Sequence, residues 1–290
     1  MQAWVCTGYG GPEKLTLKTI PVPRIKKQDV LVRVRASTVD SADVRIRTLT
    51  LPRGMGIMGR LAFGFRRPRT PVLGTCVVGD VVAVGEGVTG LNIGDRVAGM
   101  TGIGGGGHGE YCRVPAKACA PVPHTVTDEH AVAALFGGVT ALHFLRKANL
   151  KQGESILVMG ASGAVGSAMV QLAVYQEAKV TATTSGKNEE WVKQLGAESV
   201  VDYSRTSLQA LDDRFDIIAD TVAASTFGEA RHALNEHGRY LVIAGGLPDM
   251  LARPSGTKRP IKGVAPEDAA VIKQLLNLVA EGAITPVIHD

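Results

Sequence analysis

From residue 128 onward the apolar positions switch between two periods. Helical spacing marks Asp128 to Ala148, Ala164 to about Tyr175, Asn188 to Leu195 and Ser225 to Asn235. Short apolar, β-branched runs between them mark strands at Ser155 to Met159, Lys179 to Thr184, Ser199 to Asp202, Asp216 to Asp220 and Arg239 to Ile243. Runs such as Ile156-Leu-Val-Met159 show no in-and-out alternation, which suits parallel strands covered by helices on both faces. The alternation predicts a doubly wound parallel sheet, an α/β fold, with Arg259 to Val264 as a short edge strand. The first 120 residues read otherwise. Short Val-rich runs, such as Val30 to Val34 and Val77 to Val84, lie between glycines and prolines and predict an all-β barrel or sandwich. Pro121-Val-Pro123 forms a stiff link between the halves, because proline fixes φ and restricts its predecessor.

Composition narrows the picture. With 290 residues and 45% of them hydrophobic, the chain can bury a core, which excludes a disordered or collagen-like chain. The net charge of +5 is mild, and no basic stripe interleaved with aromatics appears, so nucleic-acid binding is not expected. Residues 44–79 contain seven arginines and no acid; this stretch reads as a solvated loop. The four cysteines form no C-x-x-C and no signal peptide opens the chain, so a reducing cytoplasm is the expected location. The longest uncharged run, Ser155 to Gln176, is interrupted by three glycines, three serines and two glutamines and is not expected to cross a membrane.

The segment that carries chemistry is Ser155-Ile-Leu-Val-Met-Gly160-Ala161-Ser162-Gly163-Ala164-Val165-Gly166, a buried strand that breaks into glycines and then enters a helix of small residues. Such a turn brings the backbone to a pyrophosphate, whose charge is met by free amides and the helix dipole. Against G-x-G-x-x-G the aligned residues are Ala161, Gly163 and Gly166, so the first glycine is an alanine; a tight packing turn without a ligand is the alternative. About 20 residues on, where an acid would hold the ribose of NAD, the chain reads Thr183-Thr184-Ser185-Gly186-Lys187. Hydroxyls and an ammonium there suit the 2′-phosphate of NADPH; the alternative for Lys187 is a solvent-facing residue before a helix.

Together these pieces resemble the medium-chain dehydrogenase/reductase superfamily, in its zinc-independent, quinone-oxidoreductase-like branch. The resemblance is carried by Val30 to Asp43, Pro71 to Gly74 with Gly79, Gly94 to Val97, Gly109 to Tyr111, Gly138-Val-Thr140, the glycine turn, Leu195-Gly-Ala197 and Asp202-Tyr203. It implies a GroES-like β-barrel domain at 1–123, a Rossmann NADP-binding domain at 124–282, and at 283–290 the start of a return to the first domain. It also implies roles: Thr140 beside the nicotinamide, Gly160 to Gly166 under the pyrophosphate, Thr184, Ser185, Lys187 and Tyr203 around the adenosine phosphate, and Ala244-Gly245 beneath the nicotinamide ribose.

Where zinc-binding relatives carry ligands, this chain has Asp40, Thr75-Cys76 and Phe136, so no metal is expected. The chemistry then suits an acceptor that is already electrophilic, a quinone or an α,β-unsaturated carbonyl. A metal-free alcohol dehydrogenase or ketone reductase, and an NADPH-binding regulatory protein without turnover, are the alternatives. Asp40 either caps a turn or, with its pKa raised by burial, donates a proton or hydrogen bond as a catalytic group. Cys76 reads as a small buried side chain. Gly54 to Met58 is expected to form an apolar lid, a small hydrophobic quinone or enone is the expected partner, and a homodimer is expected through the edge strand. The last residues suggest a barrel lacking a strand and helix that relatives supply, with an apolar surface that another segment covers.

Overall fold

A computed structural model describes residues 1–51 and 56–288, without the side chains of Ile57 and Met58. The first part of the chain forms β1 (Gln2–Cys6), β2 (Leu15–Thr19), β3 (Asp29–Ser37), α1 (Ser41–Thr48), α2 (Gly56–Phe63), β4 (Cys76–Val84), β5 (Arg96–Met100), β6 (Tyr111–Pro115) and β7 (Cys119–Pro121). Then come α3 (Asp128–Ala148), β8 (Ser155–Met159), α4 (Ala164–Tyr175), β9 (Lys179–Thr184), α5 (Glu189–Gln194) and β10 (Ser199–Asp202). The chain continues through β11 (Phe215–Asp220), α6 (Phe227–Ala230), β12 (Leu234–Val242), α7 (Leu247–Leu251), β13 (Arg259–Ile261) and α8 (Ala269–Ala280). No helix among the described residues is long and apolar enough to cross a membrane.

Two compact units result. The first gathers the described residues of 1–51, 56–136 and 267–288, the second 137–266. The sequence reading divides the chain at 123 and carries the second domain to 282. In the structure the division falls within α3, and α8 joins the first unit, where its buried Ile272, Leu275, Leu276 and Leu278 form the face packed on β5 and β7. Burying four such side chains contributes roughly 1.5–3 kcal/mol each, which makes α8 an integral part of that core.

The first unit is built on an antiparallel sheet of order β6-β3-β4-β5-β7, with β1 and β2 paired as a hairpin. Its Val-rich strands supply the core, Val30, Val32, Val77, Val81, Val97 and Val114 among them. All four cysteines are buried and unpaired. Gly79 lies opposite Val34, where a Cβ would stand 2.0 Å from the Arg33 carbonyl oxygen, so β4 passes β3 at a separation only glycine allows.

The second unit is a parallel sheet of order β10-β9-β8-β11-β12-β13. The central strands are buried on both faces, as their unbroken apolar runs require; Ile156, Leu157, Val158, Ile217, Ile218 and Ala219 are all fully enclosed. Strand order reverses at β8, which has β9 on one side and β11 on the other, and this switch opens a crevice at the C-terminal ends of the strands.

Local differences from the sequence pattern have local causes. The helix predicted over Ser225 to Asn235 is only α6 followed by a 3-10 turn at Arg231–Ala233. Thr226 starts it late through a capping box with Glu229, and Leu234, fully buried and paired with Phe215, pulls the chain into β12 early. The helix predicted over Asn188 to Leu195 is α5, preceded by a 3-10 turn at Gly186–Asn188.

Candidate dinucleotide site

The turn between β8 and α4 stands at the switch point. Gly160 takes the sharp bend with φ +79°, and a Cβ there would meet Val222 Cγ1 at 2.4 Å and Thr221 Oγ1 at 2.8 Å. Ala161, at the position of the fingerprint's first glycine, is fully buried and lies outside the left-handed region, so alanine is tolerated because Gly160 has taken the bend. Thr183 fastens the turn to β9, accepting from Gly160 N through Oγ1 at 3.4 Å and from Ala161 N through its carbonyl at 2.9 Å. Gly166 lets α4 close on the strand, since a Cβ would lie 2.2 Å from Gly160 O.

Gly163 differs from both neighbours. It is the N-cap of the 12-residue α4, with no side-chain cap, and the nearest atom to an added Cβ is Gly160 O at 3.5 Å. Space and unsatisfied first-turn amides therefore coincide at the positive end of the helix. The half-buried Ser162 stands beside it, Ala164 is exposed, Val165 is half-buried and Gly166 buried. A cavity of about 530 Å³ opens here, lined by Gly160, Ser162, Gly163, Thr183, Tyr203 and Ser225 among others. This is a cradle that fits a dinucleotide: bare amides face an open space, with apolar and hydroxyl side chains around it.

The residues expected around the adenosine phosphate lie at the ends of β9 and β10, which are adjacent strands. Ser185 Oγ accepts from Asn188 Nδ2 at 3.1 Å, Lys187 is exposed and Tyr203 is 61% exposed. Thr184 is completely buried, and its Oγ1 has no partner among the described residues. Sequence reading missed the placement of Asp202. Its carboxylate lies where a Cβ on Gly186 would be 2.8 Å from Oδ2, so an acid does stand beside the 185–187 loop, contributed by β10 and not β9. Hydrogen bonds from Ser204 N and Oγ, at 2.9 and 2.8 Å, hold this carboxyl below the usual range, and Arg205 Nε lies 3.5 Å from Oδ2. Asp-x-Ser after a strand is the signal that could have revealed this Asx turn. The walls from Thr206 to Leu211 and from Val222 to Ser225 were also missed, because short loop residues carry no pattern of their own.

Other expected residues lie on the same unit. Gly137, in α3, touches the backbone of α4's first turn, where a Cβ would be 2.0 Å from Ala164 O; Thr140 follows one turn later and is half-buried. Ala244 and Gly245 follow β12 at the C-terminal edge of the sheet, with Ala244 N donating to Asp220 O at 3.4 Å.

In the first unit, the structure gives Asp40 the capping role of the two that the sequence left open. Its Oδ1 accepts from Ala42 N at 2.8 Å and Asp43 N at 3.2 Å, closing a capping box at the start of α1, and its Oδ2 accepts from Thr75 Oγ1 at 2.8 Å. Both carboxylate oxygens are engaged in these bonds. Asp43 is the buried member: its Oδ1 accepts from Gly74 N at 2.8 Å, and burial, with the nearby Asp40 charge, pushes its pKa up. His108 Nε2 donates to Thr38 O at 2.9 Å and lies 3.9 Å from Asp43 Oδ2. Burial pushes the Cys76 thiol up as well, so it is a core side chain and no nucleophile. Among the described residues no three His, Cys, Asp or Glu side chains form a group able to hold a metal. The expected lid at Gly54 to Met58 lies outside the described residues except for the backbone of α2's first turn. Two of the nearby arginines tie down main chain, Arg47 donating to Gly10 O and Arg60 to Phe65 O.

Residues 26–124 match the alcohol dehydrogenase GroES-like domain and residues 164–281 match the zinc-binding dehydrogenase family. The 2-methylene-furan-3-one reductase of Solanum lycopersicum is 32% identical over 298 residues, covering 99% of this chain and 71% of that protein. The NADPH-dependent alkenal/one oxidoreductase, chloroplastic, of Arabidopsis thaliana is 30% identical over 298 residues, covering 99% and 72%. Among solved structures, the quinone oxidoreductase from Coxiella burnetii superimposes with a TM-score of 0.86 at 25% identity, covering 99% of this chain and 90% of that one.

Proposed function

The chain belongs to the medium-chain dehydrogenase/reductase superfamily, in its quinone and alkenal oxidoreductase branch, and from that premise we propose that it reduces quinones or α,β-unsaturated carbonyls with NADPH. The observation that carries this reading is the uncapped start of α4 at Gly163, opening on a cavity lined from three loops and the end of β9 at the switch point of a parallel sheet. Bound NADPH supplies a hydride. The chain's own work is to hold and align: amides from Ala164 onward meet the pyrophosphate, Gly160 and Gly166 keep the turn tight enough for them to do so, and Thr140 and Ala244-Gly245 border the nicotinamide end.

Selectivity for the 2′-phosphate rests on Ser185, Lys187 and Tyr203. Lys187 is an exposed ammonium on the turn after β9, where an acid would favour NAD. Asp202 stands near this turn, but its charge is engaged by Ser204 and Arg205. Although the second half of the chain matches a family described as zinc-binding, the positions expected to hold ligands do not fit zinc: Asp40 is a helix cap, Thr75 donates to it, Cys76 is sealed in the core, and Phe136 offers no donor atom. The chemistry is therefore directed at acceptors that are already electrophilic and need no Lewis acid. Their developing oxyanion takes its proton from solvent.

We also place the protein in a reducing compartment, the cytoplasm, a reading supported by four buried free thiols, and assign it a homodimer paired through the outer edge of β13. The central test is titration of NADPH and NADH followed by turnover on a panel of quinones and enals. Wild type binds NADPH more tightly than NADH and oxidises it with at least one such acceptor. Lys187→Ala weakens NADPH about 10- to 100-fold, the worth of a charge-assisted contact, and leaves NADH unchanged. A well-folded protein that binds neither coenzyme refutes the proposal.

A further inference from the structure

Asp220 ends β11 and is 2% exposed. Its Oδ1 accepts from Val222 N at 3.0 Å and Ala224 N at 3.2 Å, and its Oδ2 accepts from Ser225 N at 2.9 Å. Tyr240, on the neighbouring β12, is 1% exposed, and its hydroxyl lies 2.9 Å from Asp220 Oδ2 and 2.7 Å from Ser225 O. Both neighbours are acceptors, so the single phenolic proton is shared between the carboxylate and the loop carbonyl. Burial and the adjacent carboxylate push the Tyr240 pKa far up, which keeps the hydroxyl a donor across the working pH range. The loop 221–225 is thus wrapped around a buried carboxylate that is itself fixed by a strand residue.

The other side of the same loop is the coenzyme cavity. Thr221 Oγ1 donates to Met159 O at 2.7 Å, Val222 presses on Gly160, and Val222, Ala224 and Ser225 line the cavity together with Gly160 and Gly163. Ala223, at the loop's tip, has φ +58°, a left-handed conformation that alanine adopts only at a cost. The amides on either side of it, at 222 and 224, are the two that Asp220 Oδ1 holds. An unfavourable backbone conformation, a buried anchor and a cavity wall therefore meet in five residues.

We propose that Tyr240 and Asp220 are positioning residues for the coenzyme: by fixing the loop 221–225 as a wall of the cavity they set affinity for the portion that NADPH and NADH have in common. This rests on the coenzyme reading above. Neither residue is among those lining the cavity, so their influence passes through the loop. Tyr240→Phe removes one hydroxyl from a closed site and keeps the ring packed beside Phe227.

The test uses the full chain and measures the Kd of both coenzymes by fluorescence titration, KM and kcat with a reactive quinone, and Tm. The expected result for Tyr240→Phe is a roughly tenfold rise in Kd and KM for NADPH and NADH alike, with their ratio unchanged and kcat within about twofold. Asp220→Asn, which keeps the volume but turns donors toward the loop amides, moves the same quantities further in the same direction. A lower Tm with both coenzyme affinities unchanged overturns the proposal, because that is what a purely structural role predicts. So does a loss confined to NADPH, which would place the effect at the 2′-phosphate. Wild type that binds neither coenzyme overturns the functional reading itself, an outcome distinct from wild-type binding that Tyr240→Phe leaves intact.

Discussion

An alanine at Gly163 and an alanine at Gly166 add the same methyl group to the same turn, yet the structure assigns them different consequences. At Gly163 the backbone angles, φ −85° and ψ 166°, suit any residue, and the new Cβ finds its nearest neighbour at an ordinary 3.5 Å. Restricting the unfolded chain favours the fold by roughly 0.4–1 kcal/mol. Alanine is a poorer N-cap than glycine by a comparable amount, so stability changes by less than about 1 kcal/mol. The methyl occupies the approach to the first-turn amides, and crowding a fitted phosphate there costs about 1–3 kcal/mol, or roughly 5- to 150-fold in NADPH affinity. At Gly166 the Cβ would lie 2.2 Å from Gly160 O and 2.8 Å from Ala161 Cα, both backbone atoms that cannot rotate away. The gain of about 1 kcal/mol from alanine's helix propensity is opposed by overpacking of roughly 1–3 kcal/mol, so this variant melts lower. Scanning calorimetry and fluorescence titration on the two proteins separate the cases. If Gly163→Ala binds NADPH within about twofold of wild type at unchanged Tm, the pyrophosphate does not rest on this turn and the reasoning fails.

Three further outcomes follow from the first unit and from the loop after β11. Asp40→Asn retains a capping side chain, so it costs less than about 1 kcal/mol and leaves the pH profile of turnover unchanged; a displaced profile would return Asp40 to the chemistry. Asp43 has a folded-state pKa above that of the unfolded chain, so the folded state holds its proton longer, and this contribution to stability is full below the ordinary carboxylate pKa and lost as pH rises through the folded value. Tm measured from acid toward neutral pH therefore falls in wild type relative to Asp43→Asn, and parallel curves would contradict the raised pKa. Ala223→Gly relieves a left-handed alanine worth roughly 1–2 kcal/mol against a flexibility cost of roughly 0.5–1, giving a net stabilisation of about 0.5–1 kcal/mol in denaturant unfolding; destabilisation would show that the conformation is not strained.

Periodicity and glycine placement made the second unit legible: the apolar run Ser155–Met159, the glycines behind it and the alternation through Lys179–Thr184 define a strand, a turn and a crossover whatever the rest of the chain does. Local chemistry made Asp40 recognisable as a residue type suited to capping, but the sequence could not choose between cap and acid for it, because that depends on Thr75, 35 residues away, donating to its second oxygen. The same limit hid the complete burial of Thr184 and the approach of Asp202 to Gly186 from the next strand. It also hid Tyr240, which reads as an ordinary strand residue until pairing of β11 with β12 sets its hydroxyl against Asp220. Spacing along a chain specifies which elements form and which backbone groups they leave unsatisfied. Which side chains meet depends on strand order and register, and these are set by burial of whole faces contributed by residues far apart in sequence.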